Sequence, residues 1–395
     1  MSRPLRPVPA GPHQLATLVD ALRSALDGTG PAVRPSSAAG PAQPAHPAVP
    51  AHRAGPAHVV PDDVALVVET SGSTGAPRAV MLSASALRAS ADATDARLGG
   101  PAQWLLTLPP THVAGLQVLV RSILAGTEAV VAAPGGFRPD AFAADAARLT
   151  GARRYVSLVP TQLRRLVDDA GAGLAALARF DAVLLGGAAA GPDLLARAAA
   201  AGVAVTTTYG MSETCGGCVY DGVPLDGVRV RLDAAGRILL AGPMLASGYL
   251  GRPDLDAQAF APADGARWLR TSDAGELGPD GRLAILGRLD DMLVTGGAKV
   301  SPAAVERLIA ELPGVLDVCV VGLPDAEWGQ VVTAVLVPAA GASLPSLERV
   351  RAHVARNLGR PAAPARLVVA DRLPVRGPGK TDRRAVAELA AALLT

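Results

Sequence analysis

Lysine is nearly absent from this chain. Of 37 basic residues only Lys299 and Lys380 are lysines. Each is either a survivor of an arginine-biased composition or a place where a guanidinium does not serve, and its surroundings must decide. Aromatic residues are also scarce, at 3%, so each tyrosine and tryptophan merits inspection. Three cysteines are too few for a disulfide framework, and a reducing cytoplasm is the simplest expected setting. No apolar run reaches the roughly 20 residues of a membrane helix, and the opening MSRPLRPVPAGPHQ lacks the apolar stretch of a signal peptide. With 37 basic against 35 acidic residues, the net charge of +2 provides no electrostatic footprint for nucleic acid or an anionic membrane.

What is present is a large apolar fraction. Half of the 395 residues are hydrophobic and mean hydropathy is +0.30, enough for a sizeable core and, at this length, two or three domains. Residues 11–27 carry an amphipathic helix pattern. Residues 28–57 are rich in Pro, Ala and Gly, and include His46 and His52 without metal-ligand spacing, so they read as a linker. From Asp62 onward, strand and helix signals alternate. DVALVVE (63–69) reads as a buried strand, with Ser83 as N-cap of a helix over 84–97. DAVLLGG, PDLLARAAAAG and VAVTTTYG continue the rhythm as strand, helix and strand. That alternation predicts an α/β fold, with mainly parallel sheets covered by helices. After GRLDD (287–291) a compact module of two helices and paired strands follows. The expected organisation is an N-terminal helix and linker (1–57), a large domain (58–287), a hinge (288–291) and a small, mobile α+β domain (292–395).

Chemistry concentrates in a few loops. The run Thr70-Ser71-Gly72-Ser73-Thr74-Gly75-Ala76-Pro77-Arg78 alternates hydroxyls with glycines after a strand, a composition that cradles phosphates without being a Walker A loop. Thr208-Tyr209-Gly210-Met211-Ser212-Glu213-Thr214 follows another strand end, where open parallel sheets bind ligands. There Tyr209 offers a face to a base, Thr214 a hydroxyl to a phosphate, and Glu213 a carboxylate to magnesium. Asp273 and Arg288 are a candidate acid and base around a sugar. Gly296-Gly297-Ala298-Lys299 either lets a backbone approach a ligand or is a hairpin turn. Lys380, flanked by Gly and Pro, stands on a loop. Cys215-x-x-Cys218 is a lone pair, better suited to packing than to zinc or redox chemistry. His112 follows Pro109-Pro110-Thr111.

Taken in order, TSGSTGAPR, PPTHVAG, GGAAAGPDL, TYGMSET, RTSDAGEL, GRLDDMLVTGGAKVSP and RGPGK resemble the adenylate-forming acyl-CoA synthetases, relatives of luciferases and peptide-synthetase adenylation domains. The resemblance spans residue 62 to about 384. Within the family the chain looks closest to short actinobacterial o-succinylbenzoate–CoA ligases of menaquinone biosynthesis. This implies a two-step ligase using ATP, magnesium and CoA: a carboxylate is adenylated, then transferred to the CoA thiol. The resemblance assigns Ser71, Gly72, Ser73, Thr74 and Gly75 to the β,γ-phosphates. Gly186, Gly187 and Ala188 border adenine and substrate, and Tyr209 and Gly210 belong to the adenine site. It assigns Thr214 to the α-phosphate, Glu213 to magnesium, and Asp273 and Arg288 to the ribose. Asp290 becomes the hinge, Gly296 and Gly297, with Lys299, the CoA tunnel, His112 the acyl pocket and Lys380 the catalytic lysine. Arg78 departs from the family's usual lysine, and the family's N-terminal subdomain is largely missing.

A slim ammonium fits between an attacked α-phosphate and a carboxylate where a planar guanidinium does not, which favours a functional Lys380. On the apolar segment 116–124, Gln117 and Arg121 are four apart and share a helix face. A buried arginine needs a partner, either a core acid in a structural ion pair or a ligand; Arg121, with Gln117 beside it, is expected to read the aromatic carboxylate of the substrate, directly or through water. The rivals are a different carboxylic acid, a carrier-protein acceptor, and a non-catalytic nucleotide-binding module. The expected partners are small molecules, and the resemblance leaves a homodimer open.

Overall fold

The computed structural model describes residues 1–37, 59–70, 78–339, 341–376 and 380–394. The first third of the chain comprises β1 (Ser2–Pro9), α1 (Leu15–Leu26), β2 (Ala32–Ser36), β3 (Val59–Pro61), β4 (Val64–Thr70), β5 (Arg78–Ser83), α2 (Ala84–Leu98), β6 (Gln103–Leu106) and α3 (Val113–Leu124). Next come β7 (Val130–Val131), α4 (Pro139–Ala146), β8 (Arg154–Leu158), α5 (Pro160–Asp169), α6 (Ala172–Leu177), β9 (Ala182–Leu185), α7 (Pro192–Ala200), β10 (Val205–Met211), β11 (Gly216–Tyr220) and β12 (Val223–Pro224).

A seven-stranded sheet in the order β12-β11-β10-β9-β8-β6-β7 forms the centre. From β7 to β10 its neighbours run parallel; β11 and β12 add an antiparallel edge. β6, β8 and β9 bury residues on both faces, as strands covered on both sides must. Trp104, Leu106, Tyr155, Ala182 and Leu184 point to one core, together with Leu87 of α2 and Leu116 and Leu119 of α3. Leu105, Val156, Leu158, Val183 and Leu185 alternate to the other, which is closed by Phe142, Leu163, Leu166, Leu177 and Leu194 of α4 to α7.

The first core is shared with α1, through Leu18 and Leu22, and with Leu66 and Leu82 of β4 and β5. This corrects the expected N-terminal boundary. Within 28–57, residues 32–36 form β2, which pairs in parallel with both β1 and β4; residues 38–58 lie outside the described residues. β1 was not legible because Pro4, Pro7 and Pro9 interrupt its pattern. Pro7 and Pro9 are tolerated because β3 covers only residues 2–4 on one side, which leaves the rest of that side as an edge, where a missing N–H costs little. Buried Arg3 is satisfied by carbonyls, donating to Ala25, Gly30 and Asp62.

The chain continues with β13 (Arg229–Leu232), β14 (Arg237–Ala241), β15 (Gly248–Tyr249), α8 (Pro253–Ala259), β16 (Phe260–Ala263), β17 (Ala266–Leu277) and β18 (Leu283–Arg288). β15 joins the edge of β5, completing a six-stranded mixed sheet. The others form a five-stranded antiparallel sheet. Beyond Arg288 lie β19 (Leu293–Thr295), β20 (Ala298–Val300), α9 (Pro302–Ala310), β21 (Val315–Asp325), β22 (Gly329–Pro338), α10 (Leu347–Leu358), β23 (Arg366–Val369), β24 (Val375–Arg376), β25 (Lys380–Thr381) and α11 (Arg383–Leu394). β21, β22 and β23 form a three-stranded sheet. One face packs Val320, Val332 and Leu336 against Val305 and Val350 of α9 and α10; the other packs Val321 and Val335 against Val386 of α11. Buried cores thus end at Leu283 and resume at Val300. No helix among the described residues is long and apolar enough to cross a membrane.

Because Leu18 is fully buried in the shared core, Leu18→Ala should destabilise the protein by about 2–5 kcal/mol. The midpoint of urea unfolding measures this. An unchanged midpoint would mean that the N-terminal helix is an appendage.

Candidate active site

The parallel strands bring the predicted residues together at their carboxyl ends. β9 and β10 are neighbours, with Leu185 opposite Thr207, so the loop after β9 runs beside the end of β10. Gly186 lies against Thr208: a Cβ there would meet the threonine Oγ1 at 2.4 Å. Gly187 has φ +82°, a conformation that excludes most side chains. Gly187 and Ala188 are exposed beyond the strand. Gly210 sits at a register shift between β10 and β11, so close to Gly216 that a Cβ would overlap its carbonyl oxygen.

Tyr209 links this strand end to the antiparallel sheet. Its hydroxyl donates to Asp273 Oδ2 at 2.8 Å. Asp273 on β17 lies directly across from Arg288 on β18, with Arg288 Nη1 3.9 Å from Asp273 Oδ1. Burial, reinforced by the Asp273 charge, pushes the Tyr209 phenol far above its ordinary pKa, so it remains a donor. Arg288 Nη2 also donates to Asp290 Oδ2 at 2.9 Å. Arg288 Nε is buried with no partner among the described residues, a donor suited to a sugar hydroxyl. An aromatic ring, a carboxylate and a guanidinium therefore meet, as the sequence reading requires. Asp290 stands in the turn between β18 and β19.

A second group forms one turn later. Glu213 Oε1 accepts from the Tyr249 hydroxyl at 2.8 Å, and the Arg78 guanidinium lies 5.9 Å from the Tyr249 ring centre. Burial first, and Glu213 second, raise the Tyr249 pKa. Tyr249 was missed at the sequence level, although its rarity flagged it. Arg78 opens β5, paired with Thr70 at the end of β4. The glycine-rich run thus connects two antiparallel strands, not a strand to a helix; its residues Ser71 to Gly75 lie outside the described residues. Among the described residues no three His, Cys, Asp or Glu side chains gather around a metal position. Magnesium taken up with nucleotide phosphates needs only one or two carboxylates, which Glu213 fits.

Other assignments need correction. Thr214 is fully buried, and its hydroxyl closes its own turn: it accepts from Met211 N–H at 2.9 Å and lies 2.7 Å from the Gly216 carbonyl. It therefore has no hydroxyl free for a phosphate here. Arg121 is only 3% exposed. It donates to Thr94 Oγ1 at 3.1 Å, lies 5.2 Å from the Trp104 ring centre, and offsets the burial that raises the Asp95 pKa. Its partners are α2 and β6, so it ties the core rather than facing an open pocket. Gln117 donates to the Cys215 carbonyl. The shared helix face was read correctly; what that face meets was not. His112 does precede α3 as its N-terminal cap residue, half-buried, and burial lowers its pKa, favouring the neutral ring. Cys215 and Cys218 are buried, and burial pushes Cys218 up to about 12, consistent with packing.

Gly296 and Gly297 form the two-residue turn of the β19–β20 hairpin, with φ of +51° and +80°. A Cβ on Gly296 would meet the half-exposed Trp328 ring at 2.5 Å. Lys299 is exposed on β20. Lys380 lies on β25, its backbone opposite Arg376; its side chain and residues 377–379 lie outside the described residues.

If Arg121 is a core tie, Arg121→Leu should lower stability by about 1–3 kcal/mol, the cost of leaving buried polar partners unmatched. Urea unfolding checks this; an unshifted midpoint would return the residue to a pocket role.

The sequence and the fold both have known relatives. The AMP-binding enzyme family matches residues 13–250, and the AMP-binding enzyme C-terminal domain matches residues 304–380. The chain is 50% identical over 330 residues to a probable 2-succinylbenzoate–CoA ligase of Mycobacterium tuberculosis, covering 83% of this chain and 85% of the relative. Among solved structures, the o-succinylbenzoate CoA synthetase of Bacillus subtilis in complex with its acyl-adenylate intermediate matches with a TM-score of 0.68 and 28% identity, covering 82% of this chain and 69% of that one. The amide bond synthetase of Marinactinospora thermotolerans matches with a TM-score of 0.74 and 28% identity, covering 98% and 80%. A family match over more than half the chain, joined to half-identity with a full-domain relative, makes this chain a member of the AMP-binding enzyme family.

Proposed function

We propose that the chain is an ATP-dependent ligase that joins 2-succinylbenzoate to CoA in menaquinone biosynthesis, in the cytoplasm. The observation that carries the substrate reading is the 50% identity across 85% of the mycobacterial relative. In the first step the succinyl carboxylate oxygen attacks the α-phosphorus of ATP. The new O–P bond forms as the α–β phosphoanhydride bond breaks, releasing pyrophosphate. In the second step the CoA thiolate attacks the acyl carbon and AMP leaves with the electron pair of the broken C–O bond.

The residues fit these steps. Tyr209, held by its hydrogen bond to Asp273, borders adenine, while Asp273 and Arg288 take the ribose hydroxyls. Glu213 would hold magnesium with its carboxylate; the ion, when bound, neutralises phosphate charge. Arg78 and the Ser71–Gly75 run receive the outer phosphates. Lys380 supplies a positive charge between the α-phosphate and the attacking carboxylate, where charge accumulates only in the first step. Gly296, Gly297 and Lys299 serve CoA after rotation at Asp290. His112, neutral and at the head of α3, borders the acyl group.

ATP–pyrophosphate exchange tests the reading directly. Exchange should depend on 2-succinylbenzoate, and its absence with that acid but presence with another aryl or alkyl acid would replace the substrate. Lys380→Ala should lower exchange by about a hundredfold or more, the scale of removing one transition-state charge partner. Thioester formation from supplied acyl-adenylate should survive; equal loss in both half-reactions would defeat the assignment.

Asp273→Asn should raise KM for ATP about tenfold, the effect of weakening a charge-assisted contact, with little change in KM for CoA. A parallel rise in both constants would remove Asp273 from the ribose site.

A further inference from the structure

The turn that carries Glu213 is held in an unfavourable shape. Cys215, two residues on, has φ 52° and ψ 35°, the left-handed region that a non-glycine residue occupies at a cost and only when its surroundings over-determine it. Those surroundings are specific. The Cys215 carbonyl accepts two side-chain hydrogen bonds, from Ser90 Oγ of α2 at 3.2 Å and from Gln117 Nε2 of α3. Both donors are at least 98% buried. The same turn is tied on its other side, where Ala246 N–H donates to the Glu213 carbonyl at 2.8 Å and Tyr249 donates to its carboxylate.

We propose that Gln117 and Ser90 are positioning residues for Glu213. They clamp the Cys215 carbonyl, fix the Cys215–Gly216 peptide and with it the left-handed conformation of Cys215, and so keep the Glu213 carboxylate aimed at Tyr249. This replaces the substrate contact expected of Gln117. Without the clamp, Cys215 relaxes toward the right-handed region, its peptide turns, and the carboxylate loses its fixed direction. The proposal rests on the reading of Glu213 as the residue that takes the magnesium of bound ATP.

The test is calorimetric ATP binding to the full chain, with magnesium and with EDTA, for the wild type, Gln117→Met and Ser90→Ala. Magnesium should tighten ATP binding to the wild type. In Gln117→Met that gain should shrink about tenfold, the lower end for losing a residue that orients a metal ligand, and in Ser90→Ala by a smaller factor. The metal-free affinity should stay within about twofold, because the adenine and ribose contacts are untouched. An undiminished gain in both variants overturns the proposal. Equal losses with and without magnesium also overturn it, since they mark a merely structural role. A wild type that binds ATP but gains nothing from magnesium overturns the Glu213 reading, and the clamp with it. If Gln117→Met fails to fold, Ser90→Ala decides.

Discussion

A parallel sheet buried on both faces has one place left to display chemistry, the ends of its strands. Here β6, β8, β9 and β10 send alternate side chains into two apolar cores, so neither face can host a polar ligand. The consequences run outward from that constraint. Gly186, Gly187 and Ala188 leave β9 as β10 runs on toward Tyr209 and Gly210, and the parallel register sets Gly186 against Thr208. A ligand bound there still lacks one wall, which the antiparallel sheet provides. The hydrogen bond from Tyr209 to Asp273 joins the two, so the residues proposed for the nucleotide come from two sheets fixed to each other at that point.

The pattern of the central elements was readable because each is long, apolar and periodic. The strand-helix-strand run over 181–210 needed no tertiary information, nor did the cap at Ser83, whose hydroxyl accepts from Ala86 N–H. What failed to read depended on partners far away in sequence. The strand at Ser2–Pro9 breaks its own pattern with prolines and exists because β2 and β3 flank it. The segment 32–36 reads as linker because its proline and polar residues hide the strand pattern, and its pairing with β1 and β4 is supplied only by the fold.

The site divides in the same way. Tyr209, Asp273 and Arg288 were found through short local motifs, and the fold brings them together. Arg121 and Gln117 were placed on the right face of the right helix, but periodicity shows that a face is buried and never what it is buried against. A guanidinium over Trp104 and a substrate-binding guanidinium have identical sequence signatures. Thr214 teaches the related lesson that a hydroxyl beside the Glu213 carboxylate is as useful closing a tight turn as meeting a phosphate. Tyr249 lay outside every motif considered, and scarcity was its one signal.

That scarcity has a physical meaning. The chain has four tyrosines, and each hydroxyl joins separate elements. Tyr155 donates to the Leu98 and Gly100 carbonyls, and Tyr220 meets Thr94 on α2; these two bind the sheet to its covering helix. Tyr209 and Tyr249 donate instead to carboxylates, Asp273 and Glu213, and both of those lie at the site. A buried phenol whose pKa is raised stays protonated and can only orient an acid, not neutralise it. Each takes up one carboxylate oxygen, Asp273 Oδ2 and Glu213 Oε1, and Asp273 Oδ1 lies beside Arg288. A ring alone would satisfy the packing at these two positions. The hydroxyls matter because they give each acid a fixed direction, which is what the sugar and magnesium contacts proposed for Asp273 and Glu213 require before a ligand arrives.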